Sequence, residues 1–358
     1  MRILHLNNEK TWRGGERQTL LLAAGLQEGG AISVIGCRPG GPLQQQARAA
    51  SVATLPIPGN NFGAAPALVR AARDFDLIHC HTGRGHSLAA LTAAIHRTPF
   101  LVTRRVDFLP GRGWFNRSKF RRAARVVCIS RFIADQLANW GMTRERLAVI
   151  PSTVPLPDPE LMTPEHREAV RNRLGVAPDV KLIGNIAALV GHKDHATLLR
   201  AAKVLTQRRP DVRFVIMGDG ELKEKLLSLR SELSLEEKVV MTGFVPQAEQ
   251  CLPAFDVFAM SSCMEGLGSI VLDAFAAGVP VAATAGGGLS ELVRPGENGL
   301  LAPVGDAPAL ADAINCLLQN PALAQELSAK AKKRVEAEFS VARMVEQYQA
   351  VYDRILGR

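Results

Sequence analysis

Short apolar runs of strand length alternate with longer amphipathic stretches along this chain. The alternation occurs twice, on either side of a segment too rich in proline to continue either element. Such succession demands parallel pairing, because a strand rejoins its neighbour in parallel only through a crossover. The first run reads "RILHL" as strand, "GGERQTLLLAAGLQEGG" as helix, "ISVIGC" and "DLIHCH" as strands, "SLAALTAAIHR" as helix, "FLVTRR" and "ARVVCIS" as strands, and "RFIADQLANWG" as helix. Five prolines then fall within "VIPSTVPLPDPELMTPE", and proline lacks the N–H that a helix interior or central strand requires. The second run reads "VKLIGNIAAL" strand, "HATLLRAAKVLTQRRP" helix, "VRFVIMG" strand, "ELKEKLLSLRSEL" helix, "VVMTGF" strand, "AEQCLPAF" helix, "VFAMSS" strand, "SIVLDAFAAG" helix and "PVAAT" strand. The expected fold class is α/β, two doubly wound Rossmann-like domains facing each other across a cleft, with residues 1–153 in the first, a linker at 154–165 and residues 166–339 in the second. At 358 residues the chain is long enough for two cores. The closing stretch, "SVARMVEQYQAVYDRIL", places apolar residues at 341, 344, 345, 348, 351, 352, 355 and 356, a helix with one greasy face that needs a surface to cover.

Charge divides unevenly between the halves. The formal net charge is +9, yet residues 1–150 hold 21 Lys and Arg against 8 Asp and Glu, a balance of +13, while the remainder holds 22 against 26, a balance of −4. The basic character peaks between Arg104 and Val127, where Arg104, Arg105, Arg112, Arg117 and Arg121 are interleaved with Phe108, Trp114, Phe115 and Phe120. Such a patch suits an anionic surface: lipid head groups, a phosphorylated acceptor or nucleic acid. A solvated arginine-rich helix face explains it equally well. No nucleic-acid motif accompanies it. No stretch reaches the length of uncharged apolar residues needed to cross a bilayer, and the apolar run at the start is too short for a signal peptide, so the expected location is the cytoplasm. Six cysteines without a CxxC pair read as small buried hydrophobes.

The most informative stretch is "EGLGSIVLD", in which Glu265 and Asp273 stand eight residues apart around a glycine-bearing turn. A strand ends at "FAMSS" and a helix begins near Ser269, so the turn brings backbone N–H groups and a helix N-terminus to the mouth of the sheet, a geometry that attracts phosphate. Two carboxylates beside that turn accept hydroxyl protons, and phosphate plus hydroxyls describes a nucleotide sugar.

With these residues in view, the chain resembles the retaining glycosyltransferases of family four, which have the two-domain GT-B fold. "MEGLGSIVLDAFAAGVPVAAT" is similar to their signature, except that the second carboxylate is normally Glu and here is Asp273. "RGGERQTLLLAAGL" resembles the family's Gly-Gly-x-Glu turn, "DLIHCHT" its strand ending in His-x-His, and "CISRFIADQL", "VIPSTV", "VIMGDGELKEKL", "VVMTGFV" and "GGGLSELVRPGENGLLAPVGD" follow in order. The resemblance implies donor contacts from Gly14, Gly15, Lys193, Gly243, Phe244, Val245, Glu265, Gly266, Leu267, Gly268, Ser269 and Asp273. The residues after the Gly-Phe of "TGFV" would hold the base, and His81, Lys193 and Glu265 would serve the chemistry. It also implies that the first domain takes the acceptor and that the tail helix, 340–358, packs back on it. One departure stands out. The family carries an Arg five residues before its clamp Lys, and Ala188 occupies that position ahead of Lys193; Arg13, Arg104, Arg105, His192 or a bound partner would have to compensate.

Other motifs read as structural. Asp74-Phe75-Asp76 spells the metal motif of a different transferase fold, but its place before "LIHCH" favours a solvated acidic turn. His79 with His81, or His192 with His195, has ligand-pair spacing without a further Cys or carboxylate in register, so no metal is expected. Gly286 to Gly288 reads as a loop needing no ligand. The expectation is a metal-independent retaining hexosyltransferase without a cofactor, taking a nucleotide-diphosphate sugar, UDP-linked by slight preference. Its acceptor would be a cell-envelope glycan or lipid-linked molecule at the inner face of the membrane. The alternatives are a nucleotide-sugar epimerase of the same fold and an inactive transferase-like subunit.

Overall fold

The computed structural model describes residues 1–358, Asn61 by its backbone alone. The chain forms two compact units, Met1–Thr153 together with Val341–Arg358, and Val154–Ser340.

The first unit is built on seven parallel strands, β1 (Arg2–Leu6), β2 (Ile32–Cys37), β3 (Ala53–Pro56), β4 (Leu77–Cys80), β5 (Phe100–Arg104), β6 (Arg125–Cys128) and β7 (Leu147–Val149), in the order β3-β2-β1-β4-β5-β6-β7. The central strands β1 and β4 are almost wholly buried because helices cover both sides of the sheet. Strand order reverses between β1 and β4, and in open α/β sheets ligands collect at the carboxyl ends of strands beside such a switch. The tail helix, Val341–Leu356, lies on this unit. Met344, Tyr348, Val351 and Tyr352 are buried against Ile3, Leu22, Leu26, Leu77, Leu101, Val127 and Ile150. Each such side chain contributes about 1.5–3 kcal/mol on burial, which answers the sequence's need for a surface to cover.

The second unit holds six parallel strands, β8 (Lys181–Ile186), β9 (Val212–Met217), β10 (Val239–Gly243), β11 (Val257–Met260), β12 (Val281–Thr284) and β13 (Leu300–Ala302), in the order β10-β9-β8-β11-β12-β13. Its switch point falls between β8 and β11. The helix His195–Arg208 follows β8 and starts at Asp194, whose side chain accepts from Thr197 N at 3.3 Å and Thr197 Oγ1 at 2.6 Å.

Three expectations need correction. The stretch 154–165 groups with the second unit, with a 3₁₀ turn at Pro159–Met162 and a helix, Pro164–Arg173, starting on proline at its first position, where no N–H is needed. "AEQCLPAF" is a 3₁₀ segment, Ala248–Ala254, because Pro253 cannot sustain i→i−4 bonding. Phe120, counted with the basic surface, is 2% exposed: it turns inward against His86 and Trp140, with ring centroids 4.7 and 5.4 Å away.

Candidate functional site

In the second unit the loops leaving β8 and β11 lie side by side and are laced together. Cys263 N donates to His192 O at 2.9 Å, and Ser261 Oγ to Lys193 O at 3.0 Å. Between them Lys193 Nζ donates to Glu265 Oε1, and Ser262 Oγ donates to the same oxygen at 2.8 Å. Both members of the ion pair are largely shielded from water, so their attraction is screened less than on an open surface. A cation and a carboxylate thus stand together at the mouth of the sheet, beside the switch point.

The turn that follows is shaped by glycine. Gly268 adopts φ 85° and precedes the helix Ser269–Ala276 with no side-chain cap. A left-handed conformation there strains any residue that bears a β-carbon, and glycine escapes that strain. The uncapped first turn offers backbone N–H groups with the positive end of the helix dipole. Asp273 is buried on that helix. Behind the turn, Gly288 N donates to Glu265 O at 2.8 Å. A Cβ at Gly288 would stand 2.3 Å from Gly266 O, and one at Gly286 would stand 2.2 Å from Ser262 O. The three-glycine segment, bland in sequence, is therefore the backing of the Glu265 turn, a role that only non-local packing reveals.

Gly243 ends the edge strand β10 with φ 74°, and Phe244 beyond it is 68% exposed, with Val245 half-buried. Ala188 sits in the loop after β8, five residues ahead of Lys193, and brings no charge. The histidine pair His192 and His195 separates: His192 is exposed, while His195 Nε2 meets Asn185 Oδ1 at 3.1 Å inside the unit. Burial and then the Lys193 charge lower the pKa of His195 to about 4.

In the first unit, Gly14 and Gly15 open the helix Gly14–Glu28 rather than forming a separate turn. Glu16 secures the start of that helix, since its Oε2 accepts from Arg13 N at 3.0 Å and its Oε1 from Asn7 Nδ2 at 3.3 Å. Burial raises the pKa of its carboxyl, and the Asn7 bond opposes the shift. Gln18 clamps Thr153 through both amide atoms, at 2.6 and 2.8 Å, tying the helix to the end of the unit's chain.

His81 follows β4, buried, and it is part of a cluster that sequence spacing does not reveal. β1 pairs with β4 so that His5 stands opposite His79, and the ligand-capable atoms of His5, His79 and His81 lie within 4.8 Å of one another. Three neighbouring imidazoles suit a metal by residue type. The bonding does not suit one: His79 engages Tyr352 Oη at 2.7 Å and Thr103 Oγ1 at 2.6 Å, His81 Nε2 meets His5 Nδ1 at 3.0 Å, and Arg105 Nη2 meets His81 Nδ1 at 3.1 Å. A guanidinium beside a ligand nitrogen opposes a second cation.

Of the residues expected on an anionic surface, Arg105 is turned toward His81 instead, and Arg104 donates to Phe108 O with its guanidinium 5.4 Å from the Phe108 ring. Arg112, Trp114, Arg117 and Arg121 are exposed, Trp114 to 80%. They lie on or beside the helix Trp114–Arg122, which packs on the helix Gly83–His96, where Leu91 and Ile95 are also exposed. Asp76 Oδ2 accepts from Arg2 N at 2.9 Å, at the strand end opposite the switch point, so the Asp-x-Asp stretch pins β1.

Two doubly wound units, each with polar and charged residues at its switch point, define the class of a two-domain Rossmann-like fold. Residues 166–334 match the family description "Glycosyl transferases group 1" and residues 12–156 match "Glycosyltransferase Family 4". The chain belongs to this family of glycosyltransferases. It is 29% identical over 231 residues to the lipopolysaccharide core biosynthesis glycosyltransferase LpsE of Rhizobium meliloti (strain 1021), covering 64% of each chain. It is 32% identical over 246 residues to the 2-deoxystreptamine glucosyltransferase of Streptomyces kanamyceticus, covering 66% of this chain and 62% of that one. The chain thus spans a little under two thirds of each of these two relatives. Among solved structures, Anabaena HepE in complex with UDP and glucose superposes with a TM-score of 0.89 at 22% identity, covering 99% of this chain and all of that one, a likeness of GT-B fold.

Proposed function

We propose that the protein is a retaining, metal-independent hexosyltransferase that moves a sugar from a nucleotide-diphosphate sugar, UDP-linked by preference, to a cell-envelope glycan or lipid-linked acceptor. The observation that carries this reading is the Lys193–Glu265 pair at the β8–β11 switch point, next to the uncapped helix at Ser269. In the reaction, the bond from the anomeric carbon to the diphosphate oxygen breaks as a bond to the acceptor hydroxyl oxygen forms on the same face. The departing phosphate oxygen takes up the acceptor's proton. Lys193 and the backbone amides of Gly266 to Ser269 meet the charge that develops on the diphosphate, and donors oriented in advance in this way commonly supply most of the rate enhancement. Glu265 accepts hydrogen bonds from sugar hydroxyls, and Asp273 stands for the ribose contact. Phe244 and its neighbours Gly243 and Val245 face the base, and Gly14 and Gly15 approach the phosphates. His81 lies beside the sugar. No cofactor is required by this scheme.

UDP and glucose in HepE and the envelope role in the name of LpsE support the donor and acceptor classes. The exposed arginines and Trp114 support peripheral contact with an anionic membrane; no helix among the described residues is long and apolar enough to cross one. The test is thermal unfolding with UDP, GDP, ADP and CMP, followed by product analysis with the donor that stabilises. A ligand that binds only the folded protein at 100 times its Kd adds about 2.7 kcal/mol. UDP should raise Tm most, and the product linkage should keep the donor's anomeric configuration. An inverted linkage, or no stabilisation by any of the four, would defeat the proposal.

A further inference from the structure

We propose that Arg105 and His5 are positioning residues that hold His81 as a neutral imidazole with its proton on Nε2. The inference rests on the reading that places His81 beside the sugar, and it follows from counting donors along one chain of contacts. A guanidinium carries only donors, so the 3.1 Å contact from Arg105 Nη2 requires a lone pair on His81 Nδ1. The proton of His81 is then on Nε2, which donates to His5 Nδ1 at 3.0 Å. The proton of His5 must in turn sit on its Nε2, which is buried without a hydrogen-bond partner among the described residues. Leaving a buried donor unpaired costs its desolvation with no bond in return. That cost stands in the fold for the sake of an arrangement elsewhere in the chain of contacts.

The surroundings enforce the same arrangement. His79 stacks on His81 at a centroid distance of 3.9 Å and cannot rotate, since both its nitrogens are bonded, one to Tyr352 Oη and one to Thr103 Oγ1. Thr103 is bonded to Tyr348 Oη at 2.8 Å. His5 and His79 therefore flank the His81 ring, at centroid distances of 5.3 and 3.9 Å, with His79 braced by Tyr352 directly and by Tyr348 through Thr103, and Arg105 is the charged group that bonds to it. Burial first, and then the neighbouring histidine and arginine, drive the pKa of His81 well below the ordinary histidine range. With one nitrogen held by Arg105 and the other by His5, His81 is a fixed neutral ring and not a proton acceptor for the acceptor hydroxyl.

The decisive measurement is two-bond ¹H–¹⁵N correlation on protein labelled at its 8 histidines. It requires no turnover, so it stands apart from the functional reading: absence of sugar transfer would defeat that reading and leave this result intact. The expected spectrum shows His81 as the single Nε2–H tautomer from about pH 6 to pH 9. An Nδ1–H tautomer, or protonation of the ring in that range, would overturn the proposal. Arg105→Met should release the tautomer into a mixture, and kcat/KM should gain a pH-dependent limb absent from the native enzyme, whereas Arg105→Lys, which keeps a donor, should restore both. His5→Gln retains an acceptor for His81 Nε2–H and should stay within about threefold of native kcat, while His5→Phe should lose roughly 10- to 100-fold with a smaller change in KM. Equal losses in His5→Gln and His5→Phe, with an unchanged His81 signal in both, would reduce His5 to a packing residue and overturn its positioning role.

Discussion

Lys193 and Glu265 lie 72 residues apart in sequence and meet in an ion pair at the carboxyl ends of the adjacent strands β8 and β11, with Ser262 on the same carboxylate oxygen. The pair matters because each partner presents the other. Glu265 holds the ammonium at the sheet's mouth, and Lys193 neutralises a carboxylate that would otherwise be buried alone, which costs several kcal/mol.

Lys193→Ala should weaken binding of UDP roughly 10- to 150-fold, the equivalent of the 1.5–3 kcal/mol that a hydrogen bond to a charged group contributes. Isothermal calorimetry checks this directly. A change of under about twofold would remove Lys193 from the diphosphate site. Glu265→Gln keeps an acceptor for Ser262 and should bind UDP near normally while losing transfer to sugar acceptors.

Gly288→Ala should disturb the turn without touching any charged group. Its new Cβ would be forced to 2.3 Å from Gly266 O, and the clashing atom is backbone that has no rotamer to escape into. Overpacking of this kind costs about 1–3 kcal/mol, so thermal unfolding should fall by several degrees and UDP affinity should drop with it. Gly278→Ala makes the contrast, since its added Cβ meets nothing within 4 Å and its φ of 68° is the sole strain. If Gly288→Ala retains native UDP affinity, the backing role is wrong.

On the first unit, Trp114, Phe108, Leu91 and Ile95 are exposed beside Arg112, Arg117 and Arg121. Phosphatidylglycerol vesicles should sediment the protein and phosphatidylcholine vesicles should not. Each arginine near an anionic surface contributes about 1 kcal/mol, so neutralising all three should weaken binding by roughly 100-fold and flatten its salt dependence. Trp114→Ala should weaken it with the salt dependence unchanged. Sedimentation with neither vesicle type would favour a merely solvated helix face, and equal sedimentation with both would remove the arginines from the contact.

The strand–turn–helix around Glu265 is legible in the sequence because its signals are local: an apolar run, glycines, then a small-residue helix. The second half of each site is not, because it is assembled by pairing across distance. His5 has an ordinary place in "RILHL" and becomes His81's partner only when β1 pairs with β4. The helix Pro42–Ala49 leaves little periodic signal because its sequence, "PLQQQARA", shows just Leu43 and Ala47 as apolar buried positions, and Asn61–Ala72 is disguised by Pro66 inside it. Ala307–Gln319 and Pro321–Glu338 also lie outside the elements expected from sequence, although the first has a clear apolar face capped by Asp306, accepting from Ala309 N at 2.9 Å. Composition groups Arg105 with its neighbours, and composition cannot tell a side chain at a strand's end facing inward from one facing solvent.

The buried histidines make stability depend on acid in a defined direction. Burial lowers the pKa of His5 to about 3 and those of His86 and His195 to about 4, and it drives His79 and His81 well below the ordinary 6.5. In the unfolded chain each titrates near 6.5, so below that pH the unfolded state binds more protons than the folded one. The stability these neutral rings contribute is complete above pH 6.5 and is lost as pH falls toward the folded values, by about 1.4 kcal/mol per pH unit for each ring. Several rings acting together predict a steep loss of structure between about pH 6 and pH 4, with a slope set by how many titrate. His195 and the His5 cluster belong to different units, so circular dichroism across this range on His195→Gln, which removes one titrating ring from the second unit, should show acid unfolding of that unit at lower pH. A native-like profile in that variant, or a protein stable in all its parts at pH 4, would contradict the assignment of these rings as neutral in the folded state.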